Sequence, residues 1–428
     1  MPESAQSDGQ SLRRPPDAAA KRSLGRSVSD HGAGQIDMTA LRAWRLARLQ
    51  AELRRLEVAG ILLADPVNIR YACGARNMQI WSFHSTFRQA FVPSEGKVVV
   101  FEYRGSEHLA SGLETVAEVR PATPLFRAGQ PEADPRVAAW AREIAALAQA
   151  AGGSRLALDR HVDHFCAQAL AENGLSLVAG AKALSLAQSI KGPDEILCLS
   201  ASVAVAEAAL YRLRQAIEPG RSEIELWAIL EATNVEMGGE YMDTRLLSSG
   251  GRTNPWYQEA TDRLVRPGDL VAVDTDMIGP FGYDADISRT FFCGPGKPNA
   301  WQQDLYRYAW DQLHHNIALV RPGCSFRELS EASYELPERY REQEMAMVWH
   351  GVGLYGQWPT IVAKRYFDPE IADKGLVEPG MTLCCESYVG ALGGAEGVKL
   401  EQMLLVTESG VELLNSFPFE EALLGRSF

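Results

Sequence analysis

Two acids, placed alike in two separate stretches, are the groups in this chain most suited to chemistry. The runs Arg266-Pro267-Gly268-Asp269-Leu270-Val271-Ala272-Val273-Asp274 and Glu378-Pro379-Gly380-Met381-Thr382-Leu383-Cys384-Cys385-Glu386 lie 112 residues apart. Each opens on a Pro-Gly turn, continues as an apolar strand and ends in a carboxylate seven residues after the proline. An acid at the inner end of such a strand is costly to bury unless a cation meets it. Two of them, in equivalent places, imply a shared metal. A further acid follows each at a strand-like position, Asp286 twelve residues after Asp274 and Glu401 fifteen after Glu386. Gly279, Gly282, Gly393, Gly394 and Gly397 lie between and supply what hairpin turns need. One histidine accompanies the acids in pattern, in Trp349-His350-Gly351-Val352-Gly353, where the glycines let backbone approach closely. Asp274, Asp286, His350, Glu386 and Glu401 are therefore read as metal ligands, with Asp276 as a sixth. Carboxylates with one imidazole can hold two divalent ions and suit Mn, Fe, Co or Zn. Asp284 is read as a surface charge on a hairpin. Alternation along the strand turns at most one of Cys384 and Cys385 inward, and hard oxygen ligands dominate nearby, so neither thiol is read as a ligand.

The elements that must carry these groups repeat as well. Glu218-Pro219-Gly220-Arg221-Ser222 matches Arg321-Pro322-Gly323-Cys324-Ser325, each after an amphipathic helical run, about 196–216 and 299–319, and each opening another helix. Helix, Pro-Gly turn, helix, then Pro-Gly turn, strand, acid, hairpin, acid occurs twice in the same order. A duplicated α+β domain with its site at a pseudo-twofold interface is the simplest account. Upstream, a helical run at 38–60, strands at 60–64, 91–93, 98–103 and 155–159, and helices near 134–151 and 162–173 describe an α/β domain. The expected division is a disordered arm at 1–37, an α/β domain at 38–188 and the duplicated domain at 189–428. The break falls at Ser189-Ile190-Lys191-Gly192-Pro193-Asp194-Glu195.

Composition narrows the function classes. A net charge of −13 is unsuited to nucleic acid or an anionic membrane, which need a basic face. No run of about eighteen apolar residues is read, so no membrane span is expected. The polar N-terminal arm is read as a tail and not as a transit peptide. Seven cysteines without CxxC spacing fit reduced thiols, and a cytoplasmic location is expected.

Ile190-Lys191-Gly192-Pro193-Asp194-Glu195-Ile196, Asp274, Asp286-Ile287-Ser288-Arg289-Thr290, His350-Gly351-Val352-Gly353, Glu386 and Leu400-Glu401 together resemble the M24 metallopeptidase superfamily. The resemblance runs from about residue 38 to near the end. It implies a creatinase/prolidase-like N-terminal α/β domain followed by a catalytic domain with the pita-bread fold. It also implies a dinuclear centre in which Asp274 chelates one metal, Asp286 and Glu401 bridge both, and His350 and Glu386 complete one side. Within the superfamily the chain resembles the DddP-type dimethylsulfoniopropionate lyases, through Asn68-Ile69-Arg70-Tyr71, Asn77-Met78-Gln79-Ile80-Trp81 and Thr244 to Trp256. Asp276 is a mark of that branch, where it serves as an additional ligand. The spacing between Asp274 and Asp286 is one residue longer than is usual in M24 peptidases.

The chain also departs from both patterns. Peptidases of the superfamily carry a second histidine soon after the metal-binding one and another ahead of the first acid; neither is present. The lyase branch carries an acid six positions after the metal histidine, taken as the base, where this chain has Gly356, and a tyrosine five positions before it, where this chain has Met345. Tyr355 and Gln357 are the nearest residues able to handle a proton there. Trp81, Tyr103, Trp256, Trp349, Trp358 and Met345 are read as substrate-pocket residues, since aromatic faces attract a sulfonium or quaternary cation. Trp81 is included because in related enzymes the N-terminal domain reaches the neighbouring subunit's site, which also implies a homodimer. Arg252 and Arg289 are suited to a carboxylate, with Arg289 read first as a structural partner of the acids. Three functions follow: a metal-dependent lyase acting on a small zwitterionic carboxylate, a C–N hydrolase such as an Xaa-Pro dipeptidase, or a pita-bread binding module without catalysis.

Overall fold

The computed structural model describes residues 36–85, 87–125 and 134–425. The expected arm at 1–37 thus lies almost wholly outside the described residues. The described chain forms two compact units, Ile36–Gln188 with Gly192–Asp194, and Ser189–Lys191 with the residues from Glu195 onward.

The N-terminal unit is built on a six-stranded sheet. Its strands are β1 (Gly60–Leu63), β2 (Gln89–Pro93), β3 (Val98–Glu102), β4 (Val116–Pro121), β5 (Arg155–Leu158) and β6 (Ser176–Ala179), in the order β4-β3-β2-β1-β5-β6. β1, β2 and β3 are buried along their whole length, which is why they read as continuous apolar runs instead of alternating ones. The helix Met38–Arg55 starts where Asp37 accepts from the Thr39 and Ala40 amides, and it buries Leu41, Leu46, Leu49 and Leu53. One core joins Leu62, Phe91, Trp140, Ile144, Leu156 and Leu170.

The C-terminal unit shows the duplication in its caps and turns. Ser222 and Ser325 each cap a helix, Glu223–Glu236 and Phe326–Ala332, and each is closed by a glutamate three residues on, Glu225 and Glu328. Gly220 and Gly323, two residues before each serine, donate to Val265 O and Val377 O, just ahead of the two Pro-Gly turns. At those turns Gly268 and Gly380 take φ of +88° and +87°, a conformation that a side chain strains, and this launches each strand in the same direction. The longer helices are Pro193–Ala216 and Ala300–Leu319. The first, contrary to the expectation of no such run, is long and apolar enough to cross a membrane; Cys198, Leu199, Val205, Ala209 and Leu210 bury much of it inside the unit.

The acids lie on or beside the strands of two sheets, one in the order β12-β9-β8, with β8 Leu247–Ser249, β9 Leu270–Val273 and β12 Arg289–Phe292, and a five-stranded one in the order β14-β13-β15-β16-β17. In that sheet β13 is Met347–Val352, β14 Gly356–Val362, β15 Thr382–Gly390, β16 Gly397–Thr407 and β17 Gly410–Leu413. Short β7 (Tyr241–Met242), β10 (Met277–Ile278) and β11 (Asp284–Ala285) make a third sheet beside Asp276.

Candidate metal centre

Strand register puts the second-half candidate ligands on one surface. β15 and β16 run antiparallel with Glu386 directly opposite Glu401 and Tyr388 opposite Lys399. β13 sets His350 opposite Cys384 on β15. Opposed residues share a face of a sheet, as do residues two apart on one strand. His350, Cys384, Glu386, Lys399 and Glu401 therefore project together. Trp349 and Cys385, one residue away from two of them, face the opposite side and lie in the hydrophobic core.

The first-half ligands arrive on a clamped hairpin. Asp274 follows the last residue of β9, and Asp286 and Ser288 precede β12. Thr275 fixes the two segments to each other: its hydroxyl donates to Ala285 O at 2.6 Å and accepts from the Ile287 amide at 2.9 Å. Asp276 sits at φ +35°, outside the usual range for a residue with a side chain, and Thr244 donates its hydroxyl to it. Strain of this sort persists only where the surroundings over-determine it, and it places the extra carboxylate beside Asp274.

The two arms converge. One donor atom from each of Asp274, Asp276 and Asp286 lies within 4.8 Å of the others, and so do donor atoms of Asp286, His350, Cys384 and Glu401. His350 Nε2 is 3.4 Å from Glu401, 3.5 Å from Asp286 and 3.9 Å from Glu386. Its Nδ1 is 3.0 Å from the Gly351 carbonyl, an acceptor that holds a proton on Nδ1 and leaves Nε2 turned toward the acids. Asp286 Oδ1, Glu386 Oε1 and Glu401 Oε1 are buried and lack a hydrogen-bond partner. Buried carboxylate oxygens without donors, gathered around one imidazole nitrogen, are what a divalent cation satisfies. The residues present fit a metal.

The electrostatics follow from that crowding. Burial, reinforced by neighbouring acids, holds the carboxyls of Asp274, Asp286 and Glu386 above their usual range and pushes Asp276 up to about 8. Glu401 goes the other way: burial raises it, but Lys399 and His350 outweigh burial and lower it. Burial lowers His350, yet Glu401 and Glu386 prevail and bring it up to about 9.

Several sequence-read residues occupy other roles. Asp284, read as a surface charge, is 1% exposed and near Asp276; burial pushes its carboxyl well above the usual range. Cys384 is the cysteine turned toward the acids, and burial keeps its thiol well above the ordinary value, so it stays protonated. Trp349 is fully buried in the core behind the centre, not in a pocket, because a period of two sends it away from His350. Trp358 packs partly buried on that core, edge-on to Phe326. Trp256 and Met345 do stand near the ligands, in a cluster with Ala272 and Tyr388. Trp81 belongs to the N-terminal unit, 51% exposed, its ring edge-on to Tyr103. Gln357 is buried and accepts from Lys191 Nζ at 3.0 Å, a structural contact instead of a proton-handling one. Tyr355 lies half-buried just ahead of β14. Arg252 pairs with the buried Glu223, and Arg289 donates to the carbonyls of Ser288, Glu401 and Phe417 and to the Gln402 side chain, so it braces backbone and not the acids' carboxylates.

Two groups escaped the sequence reading. Lys399 is fully buried among the ligands, and its ammonium lies 5.9 Å from the Trp256 ring centre. Its signal was a lysine two positions before Glu401 in an otherwise apolar strand. Tyr257 is exposed, at φ +69°; partial burial of its phenol, then Glu386, pushes its pKa up, with Asp274 and Asp276 adding to the effect. His314 and His315 hydrogen-bond the Trp310 and Ala332 carbonyls, and among the described residues the imidazole within the acid cluster is that of His350.

Comparison with known proteins agrees with this architecture. The sequence profile of metallopeptidase family M24 matches residues 198–408, and that of the creatinase/prolidase N-terminal domain matches residues 45–185. Dimethylsulfoniopropionate lyase DddP of Roseovarius nubinhibens is 37% identical over 398 residues, 91% of this chain and 89% of the relative. The protein of the same name from Roseobacter denitrificans is 34% identical over 91% of this chain and 88% of its own length. Among solved structures, dipeptidase PepE from Mycobacterium ulcerans superposes with a TM-score of 0.71 at 22% identity, covering 90% of this chain and 98% of its own. The prolidase of Pyrococcus horikoshii also gives 0.71, at 19% identity over 88% of this chain and 99% of its own.

Proposed function

The chain belongs to metallopeptidase family M24, and on that premise we propose that it is a metal-dependent lyase acting on dimethylsulfoniopropionate or a related small zwitterionic carboxylate. The observation that supports this reading is the convergence of Asp274, Asp276, Asp286, His350 and Glu401, with Glu386 3.9 Å from the imidazole, in a chain 37% identical to a dimethylsulfoniopropionate lyase across nine tenths of its length. Asp274, Asp276, Asp286, His350, Glu386 and Glu401 would hold two divalent ions drawn from Fe, Mn, Zn or Co. Such ions, when bound, anchor a carboxylate and acidify the adjacent C–H.

The reaction is an elimination. A base takes a proton from the carbon next to the carboxylate, the C–S bond breaks with its electron pair leaving on sulfur, and the new C=C gives acrylate and dimethyl sulfide. Trp256, Met345 and Tyr257 supply an apolar and aromatic surround beside the ligands, suited to a sulfonium at about 0.5–2 kcal/mol per aromatic contact. Gly356 offers no base, and Gln357 is held by Lys191, so Tyr355 is the proton-handling residue that remains on this segment. The consequence is a slow lyase, because a positioned base is worth roughly 10²–10⁴-fold. A homodimer and a cytoplasmic location belong to the same proposal; the seven free, buried cysteines suit the latter.

A C–N hydrolase is the second reading, favoured by 29% identity to the Xaa-Pro dipeptidase of Pyrococcus furiosus over 53% of this chain. Against it, His314 and His315 bond the Trp310 and Ala332 carbonyls and are not in the acid cluster, where among the described residues His350 is the imidazole. A binding module without catalysis has no need of unpartnered carboxylate oxygens around an imidazole. Metal-loaded protein incubated with dimethylsulfoniopropionate should release dimethyl sulfide to the headspace and acrylate to solution. No gas, together with proline freed from Gly-Pro or Ala-Pro, would establish the hydrolase instead.

A further inference from the structure

The ligand carboxylates divide their oxygens in a consistent way. Lys399 Nζ lies 2.8 Å from Glu386 Oε2, 3.1 Å from Glu401 Oε2 and 3.2 Å from Asp274 Oδ2. It also donates to Ser288 Oγ at 2.8 Å, and that hydroxyl bridges Asp274 Oδ1 at 2.7 Å and Glu401 Oε2 at 2.8 Å. The other oxygen of each glutamate, Oε1, has no hydrogen-bond partner and is the one nearest His350 Nε2. Lys399 reaches neither Asp276 nor Asp286 within ion-pair distance; Asp276 accepts from the Thr244 hydroxyl, and Asp286 keeps its Oδ1 unpartnered as well. One edge of the cluster is thus closed by an internal cation and the opposite edge is left open.

Register makes this arrangement rigid. Lys399 and Glu401 are two residues apart on β16, opposite Tyr388 and Glu386 on β15, and all four are buried. An ammonium has three N–H groups and finds four oxygens within 3.2 Å, so it has no donor to spare for another role. Five ionised ligand carboxylates would leave the buried centre strongly negative. Two divalent cations and Lys399 together bring five positive charges, which leaves a neutral centre for an anionic carboxylate to approach. Without the lysine the same centre keeps one negative charge and repels that group.

We propose that Lys399 is a positioning residue that takes one oxygen from each of Asp274, Glu386 and Glu401, holds the two glutamates to one-oxygen coordination of metal, and balances the charge of the loaded centre. The oxygen geometry stands by itself; the statement about an approaching carboxylate rests on the lyase reading above.

The test uses the full-length protein, stripped with chelator and titrated with cobalt(II) alone. In Lys399→Met both glutamate Oε2 atoms are released and can turn to the metal, so the coordination number rises and the visible d–d bands weaken and shift. The stripped Met variant should melt lower by roughly 6–15 °C, since a buried cluster has lost its cation. Lys399→Arg, which keeps the charge, should recover most of that loss. If Lys399→Met does not fold, Lys399→Gln has donors without charge and is read by the same cobalt bands. Cobalt bands and stripped melting temperature both unchanged in the Met or Gln variant would overturn the proposal, whatever the activity. Wild-type protein that yields no dimethyl sulfide while its variants shift the bands would sink the lyase reading and leave the positioning role standing. With the lyase confirmed, the Met variant should raise KM more than it lowers kcat; the reverse would remove the charge-balance half of the proposal.

Discussion

Gly356→Asp should turn this chain into a faster lyase. A Cβ built at position 356 meets only the His350 ring, 3.7 Å from Nδ1 and 3.8 Å from Cε1, which is ordinary contact distance. The position is exposed, begins β14 and is not among the positive-φ glycines, so an aspartate fits without backbone strain. Two further bonds carry its oxygens about 2.4 Å beyond Cβ, beside the imidazole that faces the open edge of the ligands. A base placed there is worth roughly 10²–10⁴ in rate, or about 2.7–5.5 kcal/mol of barrier. The cost in stability should stay within about 0.5 kcal/mol, as for other exposed substitutions. The assay is dimethyl sulfide release at matched metal content, with Gly356→Asn as the isosteric control that cannot take a proton. The aspartate variant should gain at least tenfold in kcat over wild type and over the asparagine variant. An aspartate acts when ionised, so the gain should fade as pH drops through its pKa, near 4 if little perturbed. Equal kcat in all three proteins, at equal metal occupancy, would refute the reasoning and move the proton acceptor elsewhere, to Tyr355 first.

Asp286→Ala should lose metal and activity together, yet the stripped variant should melt close to stripped wild type, because the lost 3.5 Å pair with His350 Nε2 is offset by relief of repulsion from Glu401, Asp276, Asp274 and Asp284; elemental analysis and thermal melting check both. Metal affinity should rise with pH. Asp276, pushed up to about 8, and His350, up to about 9, are largely protonated at neutral pH and must release protons to bind, so calorimetry in buffers of different ionisation enthalpy should detect proton release at pH 7 that declines above about 9. Tyr257→Ala should raise KM about 2–30-fold, the equivalent of one aromatic contact with a cation, while Tyr257→Phe leaves KM near wild type; a large kcat loss in the Phe variant would instead make the hydroxyl a reacting group.

The acids and the histidine that the structure brings together were legible because each stands out against its strand. Asp274 and Glu386 end or interrupt apolar runs after matching Pro-Gly turns, and the capping serines Ser222 and Ser325 repeat in the same order ahead of them. Trp349 misled for a reason the same sequence contains. Adjacent residues on a strand point to opposite faces, so the residue beside a ligand is the least able to join it, and Trp349 lies in the core for that reason. Lys399 shows the converse. It sits two positions before Glu401, where alternation requires a shared face, but a lone lysine in a strand reads as an edge or solvent residue until its partner strand is known. Its burial depends on β15 supplying Glu386 across the register, a pairing that no local pattern discloses. Asp284 escaped similarly, since its burial comes from packing around the β10–β11 hairpin and not from its neighbours in sequence. What single-strand periodicity cannot reach is cross-strand charge pairing, and in this centre that pairing decides which carboxylate oxygens remain for a metal.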